Sequence, residues 1–336
     1  MKKSYISVLN CLACFLVVLL HVNGDFWNYS KNMRWILSNL VECIGYCAVP
    51  IFFMISGVNL IGYEKKYSTD VYIKKRIKKT VIPYLMWTFL GILFLILIKK
   101  INLRDFSIPY IINGIINSGF IDVYWFFIPL FGSYIAIIIC SLIPANKRKN
   151  SYGALILWSG ITMSIFPTIF EMMGIKYNND LGAGLINGYF IFPLIGYWID
   201  NYYIKKDVRM FIYFLGFLGF GLHYFGTAIV SDVGTVNSLF KGYTNFPSIF
   251  YSVAIFVLFK YCKGFNGKIM KVVNIVETRT FGIYMIHIYI VKIIMKIGFV
   301  SYNLIIKFTI SIVVFILAYI IIGTMQKIPG IRKMVP

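Results

Sequence analysis

The stretch "LNCLACFLVVLLHVNGDFW" occupies Leu9 to Trp27. It is an apolar run that climbs to a histidine and is then cut off by an Asn-Gly pair. Extended back to Tyr5, the run is close to the length a helix needs to cross ~30 Å of hydrocarbon. The whole chain of 336 residues holds 3 histidines. One of them stands at the end of this helix, where an imidazole has to be solvated, paired or used.

Outward from Leu9 to Trp27 the same pattern repeats. Apolar blocks fall at approximately 5 to 22, 43 to 62, 81 to 98, 122 to 143, 152 to 169, 184 to 200, 210 to 230, 246 to 262, 280 to 297 and 302 to 324. Mean hydropathy is +0.78 and 59% of residues are hydrophobic against 13% charged, which leaves too little polar surface to cover a soluble globule. The blocks are too long and too continuously apolar for barrel strands. The expectation is an all-α integral membrane protein of about ten transmembrane helices.

The formal net charge of +21 invites a nucleic-acid reading, but the position of the charge argues against it. With Met1 in the cytoplasm and alternating sides, about two thirds of the 33 basic residues fall on inner segments. The N- and C-termini are therefore expected to be cytoplasmic, and no nucleic-acid partner is needed. Lys2 and Lys3 before the first block mimic a secretory leader, yet no small-x-small cleavage site follows, so the block is read as helix 1. The longest polar stretches, Glu64 to Thr80 and Lys99 to Gly119, hold no soluble domain. Residues 1–336 read as a single polytopic domain whose chemistry must happen in the bundle or its short loops. Cys11 and Cys14 make a C-x-x-C and Cys43 and Cys47 lie one turn apart; inside membrane helices these are small apolar residues, and no metal is expected.

Four stretches carry a resemblance. They are "SVLNCLACFLVVLLH" from Ser7, "AVPIFFMISGVNLI" from Ala48 with "YIKKRIKKTVIPYLMW" from Tyr72, "VYWFFIPLFGSYI" from Val123, and "TFGIYMIHIYIV" from Thr280. In this order and spacing the chain resembles acyltransferase family 3, bacterial multi-helix membrane proteins that acylate cell-surface polysaccharides. The resemblance implies an O-acyltransferase, most simply an O-acetyltransferase, of the bacterial cytoplasmic membrane. Its donor would be acetyl-CoA or another acyl-CoA, and its acceptor a glycan or lipid-linked glycan hydroxyl. Two positions depart from the family: Asn10, at the family's acyl-donor contact on helix 1, stands where it has arginine, and Ser7 where it often has aspartate.

The residues suggest how such chemistry would be laid out. Asn10 and His21 are eleven apart, almost three turns, so they share a face about 16 Å apart along the axis. Ser7, Cys14 and Val17 lie on that face, which marks it as turned to the interior or a wet cavity. A pantetheine arm is of comparable length. A donor held at the inner surface would then bring its thioester toward His21, the general base for the acceptor hydroxyl. Asp25, one turn beyond His21, is the first candidate to orient the ring, and Glu42 the second. A bland reading of His21, as a marker of the interface, is open too.

In "YIKKRIKK" (72–79) the cations Lys75, Arg76 and Lys79 are candidates to hold donor phosphates, although topology alone would place basic residues there. Thr280, Tyr284 and His287 share a face, His287 on the order of 12 Å from the inner end. Tyr284 and His287 are read as tunnel lining, with an interhelical bond as the alternative for His287. Tyr124 and Trp125 are belt aromatics or a sugar platform. His223 is read as interfacial, and Ser56 with Gly57 as a close-packing site. Two functional alternatives stand: a flippase for lipid-linked oligosaccharide, and an inactive member of the resembled family.

Overall fold

A computed structural model of the chain describes residues 3–102, 104, 106–182, 188–265, 267–296 and 303–336. It is 78% helical and, among the described residues, has no strand. The helices are α1 Ser4–Val22, α2 Met33–Gly45, α3 Ala48–Leu60, α4 Thr69–Arg76, α5 Ile82–Leu97, α6 Ile108–Ile116, α7 Phe127–Ser141 and α8 Arg148–Gly160. They continue as α9 Phe166–Met172, α10 Ile191–Asn201, α11 Lys206–Gly221, α12 Thr227–Val230, α13 Phe246–Tyr261, α14 Gly267–Glu277, α15 Thr280–Lys296 and α16 Leu304–Met325.

Among the described residues, seven helical stretches are long and apolar enough to cross a membrane, or eight when the bent pair of α14 and α15 is taken as one. They include Met33–Lys65, which joins α2 and α3, and Thr69–Leu97, which joins α4 and α5 through a π turn at Ile77–Val81. Pro83 supplies the reason for that turn: it has no N–H to give to the carbonyl four residues back, so the ladder slips by one. Two of the ten expected blocks, 184 to 200 and 246 to 262, hold shorter helices, α10 of 11 residues and α13 of 16. Residues 183–187, at the start of the first of these, lie outside the described residues. The inner loop expected before the ninth block carries α14, bent by 65° from α15.

α1 is the hub, packing against α2, α3, α13, α14, α15 and α16. Its cluster of Leu9, Ala13, Val17 and Leu19 is fully or almost fully buried. α3 crosses α10 with backbone on backbone. A methyl group on Gly57 would run into the carbonyl of Pro193, and one on Gly196 into the carbonyl of Met54. The close-packing role read for Gly57 is thus seen at a contact where only hydrogen fits.

Ion pairs lock the helix ends. Lys3 Nζ meets Asp200 at 2.6 Å and Arg148 meets Glu64 at 2.6 Å. Elsewhere Lys307 meets Asp25 at 2.6 Å, Lys241 meets Glu42 at 3.0 Å and Lys292 meets Asp122 at 3.5 Å.

Candidate active site

The polar stripe of α1 packs onto the Thr280–Tyr284–His287 face of α15. Asn10 Nδ2 donates to Thr280 Oγ1 at 3.0 Å, and Cys14 Sγ lies 3.5 Å from the Thr280 carbonyl. At the far end of the stripe His287 Nε2 stands 3.1 Å from His21 Nδ1, with ring centroids 4.9 Å apart. Two periodicities of ~3.6 residues, each read separately, therefore meet as one helix interface. His287 is fully buried and His21 half-buried.

The neighbours fix where the protons sit on the neutral rings. His287 Nδ1 is 2.6 Å from the Tyr284 carbonyl and His21 Nδ1 is 2.8 Å from the Val17 carbonyl. Carbonyl oxygens only accept, so each Nδ1 carries the hydrogen. His287 Nε2 is then a bare acceptor, and the His21 Nδ1–H is shared between it and Val17 O. What remains is the His21 Nε2 lone pair, on the half-buried ring, free to take a proton.

The partners expected for His21 are engaged elsewhere. Asp25 accepts from Lys307 Nζ at 2.6 Å and from Ser38 Oγ at 3.0 Å. The cause is the end of α1: Asn23 closes the helix and a 3₁₀ turn at Gly24–Trp27 takes over, so Asp25 is not one helical turn above His21. Glu42 is bound by Lys241 and by Asn23 Nδ2 at 3.4 Å. Both carboxylates fasten helix ends, and His287 occupies the orienting position. The interfacial reading of His223 also fails: the ring is fully buried, with Nδ1 3.0 Å from the Tyr251 hydroxyl.

The 3₁₀ turn Asp122–Phe126 is bolted to α15 at successive levels. Tyr284 donates to the Val123 carbonyl at 2.7 Å, and Tyr124 donates to the Met285 carbonyl at 2.8 Å. Tyr124 is thereby buried as a brace and not an open lining residue. Trp125 is half-buried, stacks with Tyr243 at 5.4 Å and faces Tyr189 at 5.5 Å, while Tyr243 also stacks on Tyr46 at 3.9 Å.

Below the histidines lies a cavity of about 310 Å³ whose wall includes Asn10, Arg76, Lys79, Thr80, Tyr134 and Tyr284. Three of the residues expected to hold a donor thus share one space with Tyr284, whose ring lies 5.7 Å from that of His287. The fourth, Lys75, turns away, its Nζ 3.7 Å over the Tyr67 ring. Arg76 is flanked by the Tyr72 and Tyr134 rings, and its Nε is buried without a hydrogen-bond partner. One guanidinium N–H is thus left over at the cavity wall, a donor suited to an anion. Asn10, where the resembled family has arginine, offers an amide already bonded to Thr280 and no charge. Among the described residues no group of three or more His, Cys, Asp and Glu side chains is gathered as a metal centre requires.

Three buried cations escaped the sequence reading: Arg148, with its Glu64 partner described above, and two lysines. Lys307 is 2% exposed and reaches Asn23 Oδ1, Asp25 Oδ1 and Ser38 Oγ at 2.6 to 2.7 Å. Lys241, also 2% exposed, sits between the Trp27 and Tyr46 rings at 4.2 and 4.0 Å. A lysine inside an apolar block is itself a signal that a carboxylate faces it, and Lys307 stands in such a block.

Fold and site together define a multi-pass membrane protein in which a paired imidazole overlies a cavity with cations in its wall. The family model described as an acyltransferase domain matches residues 3–324, nearly the whole chain, and the chain belongs to acyltransferase family 3. It is a membrane acyltransferase of that family. No curated protein and no solved structure matches it.

Proposed function

We propose that the protein is an O-acyltransferase of the bacterial plasma membrane, most simply an O-acetyltransferase, which takes its acyl group from cytoplasmic acyl-CoA. The acceptor is a hydroxyl of a cell-surface polysaccharide or of its lipid-linked precursor. The observation that carries the reading is the bare Nε2 of His21, held by His287, whose ring lies 5.7 Å from that of Tyr284 in the wall of the cavity shared with Arg76 and Lys79. His21 Nε2 takes the proton of the acceptor hydroxyl while that oxygen bonds to the thioester carbon. The C–S bond then breaks, and the imidazolium returns the proton to the departing thiolate. His287 accepts the His21 Nδ1–H throughout, and this hydrogen bond strengthens as His21 becomes positive. The half-buried Trp125, beside Tyr189, is the seat proposed for the sugar.

Ten crossings with both termini cytoplasmic belong to the same proposal. Each ion pair described above joins two residues that ten alternating crossings place on one side. Lys3 with Asp200 and Arg148 with Glu64 fall inside; Lys307 with Asp25, Lys241 with Glu42 and Lys292 with Asp122 fall outside. An odd error in the count between partners would put them across the bilayer from each other.

The test is a strain lacking the chain, complemented with wild type or with His21→Ala. NMR of the envelope polysaccharides is expected to show ester signals with wild type and none with the variant. Ester signals that persist with His21→Ala while glycan export stops would replace this reading with that of a transporter.

A further inference from the structure

Pro193 and Gly196 give one side of α10 to α3; residues two places along a helix point about 200° away, so Ile191, Ile195 and Trp198 face the other side. There they line a furrow of about 440 Å³, walled by α8 and α11 and floored by α10 and α13. It shares no described lining residue with the cavity under the histidines. Gly153 and Gly160, about two turns apart, leave the α8 wall bare. A methyl group on Gly160 would meet nothing within 4 Å, and one on Gly153 would come 3.6 Å from Trp198 Nε1. Among the described lining residues every side chain is apolar or absent except for that indole N–H, which already donates to the Lys149 carbonyl at 3.1 Å. A ligand there finds no hydrogen bond, so it has to be hydrocarbon.

One end of the furrow carries a different chemistry. Trp198, Tyr202 and Tyr261 gather there, and the Tyr261 hydroxyl accepts from the N–H of Ile204, a lining residue, at 2.9 Å. Lys149 Nζ lies 5.9 Å over the Tyr202 ring and the Arg209 guanidinium 4.0 Å over the Tyr261 ring, with Lys205 and Lys206 exposed at the start of α11. Asp200 is taken by Lys3 and Tyr5, which leaves the exposed Asp207 against four cations. Aromatic rings with basic heads above an apolar slot mark the level of lipid headgroups.

We propose that this furrow binds one acyl chain of an anionic phospholipid of the bilayer, whose phosphate is held by Lys149 and Arg209. Charge complementarity selects the occupant: an anionic head gains from every cation at this end, whereas a zwitterionic head also brings an ammonium to them. The site does not depend on the acyl-transfer reading. Its lipid closes the open side of α10, on which α3 rests backbone to backbone, and α3 in turn packs on the helix that carries His21.

The experiment releases the full chain from nanodiscs of equal phosphatidylcholine and phosphatidylglycerol into a native mass spectrometer. Wild type is expected to keep one phospholipid, with phosphatidylglycerol preferred about tenfold. Gly160→Leu fills the furrow from a position without a clash and is expected to lower lipid occupancy about tenfold. Ile212→Phe fills it from α11 and decides the matter if Gly160→Leu does not fold. Lys149→Gln/Arg209→Gln is expected to keep the lipid and lose the preference for phosphatidylglycerol. Wild-type occupancy in the filled variant, or no retained lipid in wild type, overturns the proposal. So does equal retention of both lipids by wild type, or an unchanged preference in the double variant, since either makes the furrow ordinary annular surface. A lipid-free dimer assigns the furrow to a second copy of this chain, and displacement of phosphatidylglycerol by added polyprenyl phosphate assigns it to a lipid-linked glycan; both outcomes overturn the proposal.

Discussion

In the topology proposed above, an outer rim and an inner mouth are both rich in lysine and arginine, and they use them in opposite ways. At the rim Lys307, Lys241 and Lys292 each face a carboxylate, and the first two are 2% exposed. At the mouth Arg76 and Lys79 line open space, and no aspartate or glutamate is among the described residues that line it. A charge removed from water is tolerated only with a partner, so the rim cations are part of the scaffold. A charge left facing a cavity is available to a ligand. The same residue types on the same chain therefore fasten helices where a carboxylate faces them, as Arg148 does with Glu64, and offer binding where open space does.

The imidazole between the two regions gives the largest expected effect. His21→Ala is expected to lower the rate of acyl transfer about 10³-fold, with donor affinity at the mouth and thermal stability close to wild type. Single-turnover transfer from labelled acetyl-CoA to glycan measures the first, and calorimetry with CoA the second. A variant that loses stability and donor binding together would make His21 a packing residue, and the division between rim and mouth would lose its catalytic middle.

Next comes the rim. Lys307→Ala strips Asp25, Asn23 and Ser38 of their shared ammonium and leaves a partly buried carboxylate unmatched. Breaking one side of such a pair costs about 3–5 kcal/mol, read as an earlier unfolding transition in detergent. The KM for the donor in the folded fraction is expected to stay at the wild-type value. A raised donor KM with unchanged stability would reverse the roles assigned to rim and mouth.

What the sequence made legible follows from helical periodicity. The Asn10–His21 stripe and the Thr280–Tyr284–His287 face were both readable because each lies within one uninterrupted helix, where spacing alone decides direction. That the two faces meet was not readable, since no local rule says which helix α1 will pack against. Asp25 was misplaced by extending the helical count past Asn23–Gly24, although that pair is a standard break signal. Lys75 was grouped with Arg76 and Lys79 because the run of cations hides its direction, which the adjoining π turn and Tyr67 settle. The short α10 illustrates a different limit: it begins at Ile191 after a 3₁₀ turn at Gly188–Phe190, so an apolar block gives a span's place in the chain and not its first α-helical residue.

His287→Gln bears on the imidazole from behind. Glutamine leaves a polar side chain near His21 but loses the aromatic acceptor, so the His21 ring is freer to turn. The rate is expected to fall on the order of 10- to 100-fold, with KM for the donor little changed. A purely structural histidine would instead show its loss in the unfolding midpoint and leave the rate of the folded protein alone.

The smallest effects come from two adjacent cations at the mouth, where the comparison can be made at the resolution of one residue. Arg76 lines the cavity with an unpaired Nε, whereas Lys75 lies over Tyr67. Arg76→Gln is expected to raise the donor KM about tenfold, since a charge-assisted contact to phosphate is lost. Lys75→Gln is expected to change it less than about twofold, because an exposed cation on a ring contributes only ~0.5–1 kcal/mol and none of that goes to the donor. Both variants have the same net charge, so general attraction between the basic inner surface and an anionic donor falls equally in each. If the two raise KM alike, the mouth acts as a diffuse field and not as a site. A difference between neighbours is the signature of a cavity that addresses one side chain and excludes the next.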